Sequence, residues 1–130
     1  MTTTLVHIVD DDAHVRASTS FLLQSRGYAT QSHVDGRACL NQASLEQGCV
    51  LLDLRMPHMT GIDVQRALKE RSIDLPVIIL SGHGDARAAA EAKTLGAVGF
   101  LAKPYAEEDL IAAIGRAERV AKERSERQVA

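Results

Sequence analysis

Short apolar runs recur along this chain, and the stretch between each pair has room for one helix. Leu5-Val6-His7-Ile8-Val9, Val50-Leu51-Leu52-Asp53-Leu54, Val77-Ile78-Ile79-Leu80 and Val98-Gly99-Phe100-Leu101-Ala102 are too short for core helices and are dominated by apolar residues. Runs of this kind read as strands walled on both faces. Tyr28 to Val34 mixes Thr and Tyr with polar residues, a weaker pattern that suits a strand at a sheet edge. The intervening stretches carry helix signals. Asp12 can cap a helix with Val15, Thr19 and Leu22 on one face and Gly27 at its close. Asp35-Gly36 opens a second helix carrying Ala38, Cys39, Leu40 and Ala43. Thr60-Gly61-Ile62-Asp63 has the form of a capping box, ahead of Val64, Ala67 and Leu68. An alanine-rich helix from Asp85 to Leu95 ends at Gly96, and a last one begins near Ala106 with Glu107, Glu108 and Asp109 in its first turn. Leu110, Ile114, Ala117 and Ala121 mark its apolar face. Five strands alternating with five helices predict an α/β fold, a doubly wound parallel sheet joined by right-handed crossovers. Strand order does not follow from the pattern.

Four strand ends carry polar groups where the chain is otherwise apolar. The first ends in Asp10, Asp11 and Asp12, the third in Asp53, the fourth in Ser81 and the fifth in Lys103-Pro104. In a parallel sheet all carboxyl ends lie along one edge, so these side chains can converge where open α/β sheets bind ligands. Three crowded carboxylates repel unless a cation joins them, and a hard divalent ion such as Mg²⁺ suits an all-oxygen site. The chemistry such a set supports is phosphoryl transfer to a carboxylate. Asp53 would be the nucleophile, with the Lys103 ammonium and the Ser81 hydroxyl engaging the phosphoryl oxygens. Taken singly, Asp12 reads as a helix cap, Ser81 as a turn residue and Lys103 as an exposed lysine. Their joint placement on four strand ends is what points to one shared site.

Composition removes several other classes. The 130 residues are 45% hydrophobic and 25% charged, which suits one compact domain. Fifteen basic and seventeen acidic residues leave a formal charge of −2, giving no electrostatic case for nucleic acid or an anionic membrane. No Trp and four aromatics in all argue against a stacking site for bases or a flavin ring. Cys39 and Cys49 lie among apolar residues and read as small buried hydrophobes rather than a disulfide. No charged-then-apolar leader opens the sequence, and no apolar run approaches the roughly 20 residues that span a bilayer, so a reducing, cytoplasmic setting is expected. His7, His14, His33 and His58 lack ligand spacing and read as surface or packing residues.

Together, His7-Ile8-Val9-Asp10-Asp11-Asp12, Leu52-Asp53-Leu54-Arg55-Met56-Pro57 with Gly61, Ile79-Leu80-Ser81-Gly82-His83-Gly84-Asp85 and Phe100-Leu101-Ala102-Lys103-Pro104 resemble the receiver domain of two-component response regulators. The wording Asp53-Leu54-Arg55-Met56-Pro57 and Ser81-Gly82-His83-Gly84-Asp85 is similar to the FixJ-like subgroup. The resemblance implies a flavodoxin-like sheet of order 2-1-3-4-5, with residues 1–120 as receiver and 121–130 extending the last helix. It implies a signalling phosphoacceptor rather than an enzyme, one that takes a phosphoryl group from a sensor histidine kinase onto Asp53. Such a domain is expected to react with small phosphodonors and to dephosphorylate itself. By the same resemblance Asp11, Asp53 and the backbone carbonyl of Arg55 bind Mg²⁺ (Mn²⁺ being an alternative), and Asp10 acts through metal-bound water. Ser81 and Phe100 correspond to the switch pair, and Lys103-Pro104 to a cis peptide. Signalling is expected through the face of the fourth helix, fifth strand and fifth helix, which also offers a homodimer surface. Arg55 and His83, two residues beyond Asp53 and Ser81, are expected to tune phosphoryl lifetime.

Two rival functions compete with this reading. A Mg²⁺-dependent aspartyl-phosphate hydrolase of the haloacid-dehalogenase type needs a second Asp two residues after the nucleophile, and Arg55 stands there. A degenerate, phosphorylation-independent interaction module would lack site residues that this chain retains. Residues 116–127 alternate charges at helical spacing and read as a solvated helix. FixJ-like proteins continue into a helix-turn-helix output domain, so the chain is expected to be either a single-domain receiver or a fragment cut at a linker helix.

Overall fold

The computed structural model describes residues 4–42, 45, 47–82 and 84–129. Strands β1 (Leu5–Val9), β2 (Ala29–His33), β3 (Cys49–Asp53), β4 (Val77–Ser81) and β5 (Gly99–Ala102) alternate with helices α1 (Ala13–Ser25), α2 (Gly36–Leu40), α3 (Gly61–Glu70), α4 (Ala86–Thr94) and α5 (Glu107–Val129). The strands form one sheet of order β2-β1-β3-β4-β5, and every neighbouring pair is parallel. The polar run expected at an edge is there, as β2. Among the described residues no helix is long and apolar enough to cross a membrane.

Strand alternation divides the core in two. Val6, Ile8, Leu51, Ile78 and Leu80 pack with Leu23 of α1 and with Leu110, Ala113, Ile114 and Ala117 of α5. Val9, Val50, Leu52, Val77 and Ile79 meet Cys39 and Leu40 of α2, Ile62, Val64 and Leu68 of α3, and Ala92 of α4. Each fully buried Leu or Ile contributes about 1.5–3 kcal/mol, so the sheet needs both helical layers. Cys39 and Cys49 are free and buried, and burial pushes each thiol up to about 12.

The helix signals act as their chemistry requires. The Asp12 carboxylate accepts from the backbone N–H groups of His14 and Val15, and that of Asp35 accepts from Ala38. Thr60 and Asp63 complete the reciprocal capping box. Two expectations need correction. The second helix ends at Leu40, and Ala43 lies outside the described residues. On α1 the buried positions are Thr19 and Leu23, with Leu22 only partly buried and Phe21 turned outward, so the core-facing stripe lies to one side of the expected face.

Two histidines interact inside this fold. His7 and His33 are buried on β1 and β2, with ring centroids 5.3 Å apart and His7 Nδ1 lying 3.1 Å from His33 Nε2. His7 Nε2 is 3.2 Å from the Gln47 carbonyl, which only accepts, so in the neutral tautomer His33 Nε2–H donates to His7 Nδ1. Burial, with His7 adding to it, pushes His33 down to about 4. The unfolded chain therefore binds a proton that the folded chain refuses. This contribution is fully present above about pH 6.5 and is lost as pH falls towards 4. We predict that urea unfolding at pH 4.5 and 7 will show about 2–3 kcal/mol less acid sensitivity in His33→Gln than in the parent chain. Equal losses in the two proteins would refute it.

Candidate functional site

The carboxyl ends of the strands gather the acidic residues. Asp10 follows β1 directly and is 1% exposed. Its Oδ1 accepts from the Asp12 backbone N–H at 2.9 Å, and its carbonyl accepts from Arg16 Nη1 at 2.8 Å. Asp53 closes β3, 6% exposed, and its Oδ1 accepts from the Arg55 backbone N–H at 3.3 Å. Asp11 is exposed at the rim, and Asp10, Asp11 and Asp53 each offer an oxygen within 4.8 Å of the others. Asp12 turns away to cap α1, as expected for that residue taken alone.

Lys103 spans this cluster. Its Nζ lies 3.3 Å from Asp53 Oδ2 and 3.6 Å from Asp10 Oδ2. Its backbone N–H donates to the Ser81 carbonyl at 2.8 Å, which clips the ends of β4 and β5 together, and the Lys103-Pro104 bond is cis. The electrostatics follow from the crowding. Burial pushes the Asp53 carboxyl above its ordinary value; Lys103 opposes this and Asp10 adds to it. Burial works to lower the Lys103 ammonium, yet the Asp53 and Asp10 carboxylates together hold it above the usual lysine value.

A divalent cation fits this donor set. Asp10 Oδ2 is buried and has no hydrogen-bond partner, an expensive state for a carboxylate oxygen. A single ammonium more than 3 Å from both acids leaves much of their charge uncompensated. An all-oxygen cluster of this kind suits a hard ion.

The other expected residues that the structure describes lie on β4, on β5 and just after β3. Ser81 ends β4, in register with Ala102 of β5. Phe100 is 38% exposed on β5, so it is not the ordinary core residue that a strand phenylalanine often is. The Arg55 side chain is 70% exposed, and its Nε meets Asp85 Oδ1 at 2.6 Å. Asp85 is held below the usual carboxylate range by that Arg55 bond and then by the Gly82 N–H. His83 lies outside the described residues.

Three neighbours of the site make contacts that the sequence does not signal. Arg16 holds the loop after β1 through the Asp10 carbonyl. Tyr105 is half-buried, and burial is the main reason its phenol is pushed up, with Lys103 opposing this and Asp10 and Asp53 adding to it. Asp85 pairs with an arginine thirty positions earlier. Each contact joins separate segments, which no local pattern reports.

Comparison with known proteins agrees with this geometry. The family described as "Response regulator receiver domain" matches residues 6–115. The transcriptional regulatory protein FixJ of Azorhizobium caulinodans is 42% identical over 110 residues, which is 84% of this chain and 52% of that protein. The response regulator protein TmoT of Ectopseudomonas mendocina is 42% identical over 123 residues, 94% of this chain and 56% of its own length. The chain thus spans about half the length of the curated relatives it matches. Among solved structures, FixJ-N superposes with a TM-score of 0.86 at 41% identity, covering 92% of this chain and 96% of that one. Full-length FixJ from B. japonicum gives a TM-score of 0.86 at 37% identity, over 97% of this chain and 63% of that one. Acids, lysine and strand order thus occur together in a chain that belongs to the response regulator receiver domain family and is FixJ-like within it.

Proposed function

We propose that this chain is the phosphoacceptor of a two-component phosphorelay, taking a phosphoryl group from a sensor histidine kinase onto Asp53. The observation that carries this reading is the buried Asp53 carboxylate with the Lys103 ammonium 3.3 Å from one oxygen and a second buried acid, Asp10, 3.6 Å from the same ammonium. The Asp53 carboxylate attacks phosphorus. An O–P bond forms as the N–P bond of the donor phosphohistidine breaks, and the departing imidazole nitrogen keeps the bonding pair and takes up a proton. Lys103 already sits among the carboxylate oxygens, so it meets the incoming phosphoryl oxygens without reorganisation. Asp11, Asp53 and the Arg55 carbonyl would hold Mg²⁺, with Asp10 reaching it through water. When bound there, the ion supplies positive charge to the phosphoryl oxygens.

Ser81 and Phe100 then act as the switch pair of this reading. The hydroxyl engages the phosphoryl group, and the half-exposed Phe100 turns inward behind it. The surface of α4, β5 and α5 changes as a result, and this surface serves a downstream partner or a second copy of the chain. Arg55 and His83 are assigned to phosphoryl lifetime. Presence of the full acidic set and Lys103 favours this over a degenerate module, and Arg55 in the acid/base position counts against a hydrolase.

The test is incubation with Mg²⁺ and acetyl phosphate, followed by intact mass and borohydride reduction to mark the acyl phosphate. A single adduct on the peptide bearing Asp53 is the expected result. An adduct on any other residue, or no adduct under conditions that label a known receiver, would overturn the proposal.

A further inference from the structure

Asp85 occupies the position before α4 where an aspartate normally caps the helix, yet its side chain makes no capping bond. Its two oxygens are committed elsewhere. Oδ1 accepts from Arg55 Nε at 2.6 Å and Oδ2 from the Gly82 backbone N–H at 2.7 Å. The carboxylate is 6% exposed, whereas the arginine that compensates it is 70% exposed. Arg55 in turn has its backbone N–H on Asp53 Oδ1. One residue thus touches the phosphoacceptor through its main chain and, through its side chain, the loop that leads from Ser81 into α4.

We propose that the Arg55–Asp85 ion pair is a latch of the unphosphorylated state, and that its release hands the Asp85 carboxylate to the N-terminus of α4. The inference rests on Asp53 being the phosphoacceptor. A phosphoryl group on Asp53 brings nearly two negative charges and three acceptor oxygens close to Arg55. A guanidinium matches that geometry well, so the phosphoryl group competes with Asp85 for it. A buried carboxylate that loses its cation must find new donors. The unsatisfied N–H groups of the first turn of α4, at Arg87 and Ala88, are the ones a capping aspartate takes. Rotation of Asp85 also frees the Gly82 N–H, which loosens the segment just after Ser81. Asp85 is therefore a positioning residue that couples the site to α4, and it touches no reacting atom.

The test is amide hydrogen exchange at Arg87 and Ala88, with and without loading by beryllium fluoride and Mg²⁺. Loading at Asp53 is verified independently by fluorine resonance. In the parent chain, loading is expected to slow exchange at these two amides about fivefold, the effect of one capping bond. Arg55→Ala frees Asp85 from the other side and should show the slowed exchange without loading. Asp85→Ala, which can neither latch nor cap, should show no change on loading. Verified loading with unchanged exchange in the parent chain, or fast exchange in unloaded Arg55→Ala, would overturn the latch and leave the phosphoacceptor reading standing. A parent chain that neither loads nor accepts phosphoryl from acetyl phosphate would overturn both.

Discussion

Asp53→Asn is expected to take up no phosphoryl group from acetyl phosphate and to unfold at a higher urea concentration than the parent chain. The first effect follows from chemistry, because a carboxamide cannot form the acyl phosphate. The second follows from the environment. Burial raises the Asp53 carboxyl above its ordinary value, despite Lys103 opposite it, and the Asp10 charge adds to the penalty. A carboxyl raised on folding binds protons more tightly in the folded chain, so in its ionised form at neutral pH it opposes folding. Asn at this position removes the charge and leaves Lys103 to Asp10 alone. The two readouts, intact mass and urea midpoint, separate the contributions. Persistent labelling would place the phosphoacceptor elsewhere, and a lowered midpoint would show that attraction to Lys103 outweighs the cost of burial.

Gly61→Ala should damage both fold and site, although the residue bears no functional group. A Cβ at this position would lie 2.6 Å from the Asp53 carbonyl oxygen and 3.0 Å from the Leu54 Cα, which are both main-chain atoms. The Gly61 N–H also donates to the Leu54 carbonyl at 3.1 Å, so helix and strand end cannot part without losing that bond. Overpacking of this sort costs about 1–3 kcal/mol. The nearest atom that must yield is the Asp53 carbonyl oxygen, and a misplacement near 1 Å slows chemistry about a hundredfold. The expected result is a lowered urea midpoint together with labelling by acetyl phosphate slowed by about tenfold to a hundredfold. Gly115→Ala serves as the control. It lies inside α5 with nothing within 4 Å of its would-be Cβ, and should gain about 0.5–1 kcal/mol with labelling unchanged. Labelling of Gly61→Ala at the parent rate would show that the loop after β3 yields without disturbing Asp53.

The strands and the site acids were legible because their signals are local. An apolar run such as Val77–Leu80 can be buried on both faces only as an inner strand, and Asp53 or Lys103 at the end of such a run has one edge to occupy. Caps were equally legible at Asp12, Asp35 and Thr60, where donor and acceptor lie within three residues. Asp85 shows where this logic stops. Its sequence context is that of a cap, but Arg55 supplies a charged partner from another loop, and a bond between opposite charges wins over one from a carboxylate to a neutral backbone N–H. His7 and His33 show the same limit, since only the pairing of β1 with β2 brings their rings together. Strand order was open to the residue pattern for a related reason. The other four strands share a similar apolar code, and the polar character of β2 identifies an edge without naming its neighbour.

The unbroken length of α5 has a mechanical consequence. The helix starts four residues after Lys103 and is gripped by the sheet through Leu110, Ala113, Ile114 and Ala117. From Leu110 to its last turn it runs about 28 Å, at 1.5 Å per residue. A tilt of one degree at the gripped end therefore carries the far end by about 0.5 Å over that length. Beyond the grip, Glu118 accepts from Thr4 and Tyr28, and Arg124 Nη1 lies 2.8 Å from Asp74 Oδ1. The helix thus has the form of a lever held along its first turns, so any tilt there is magnified at its far end.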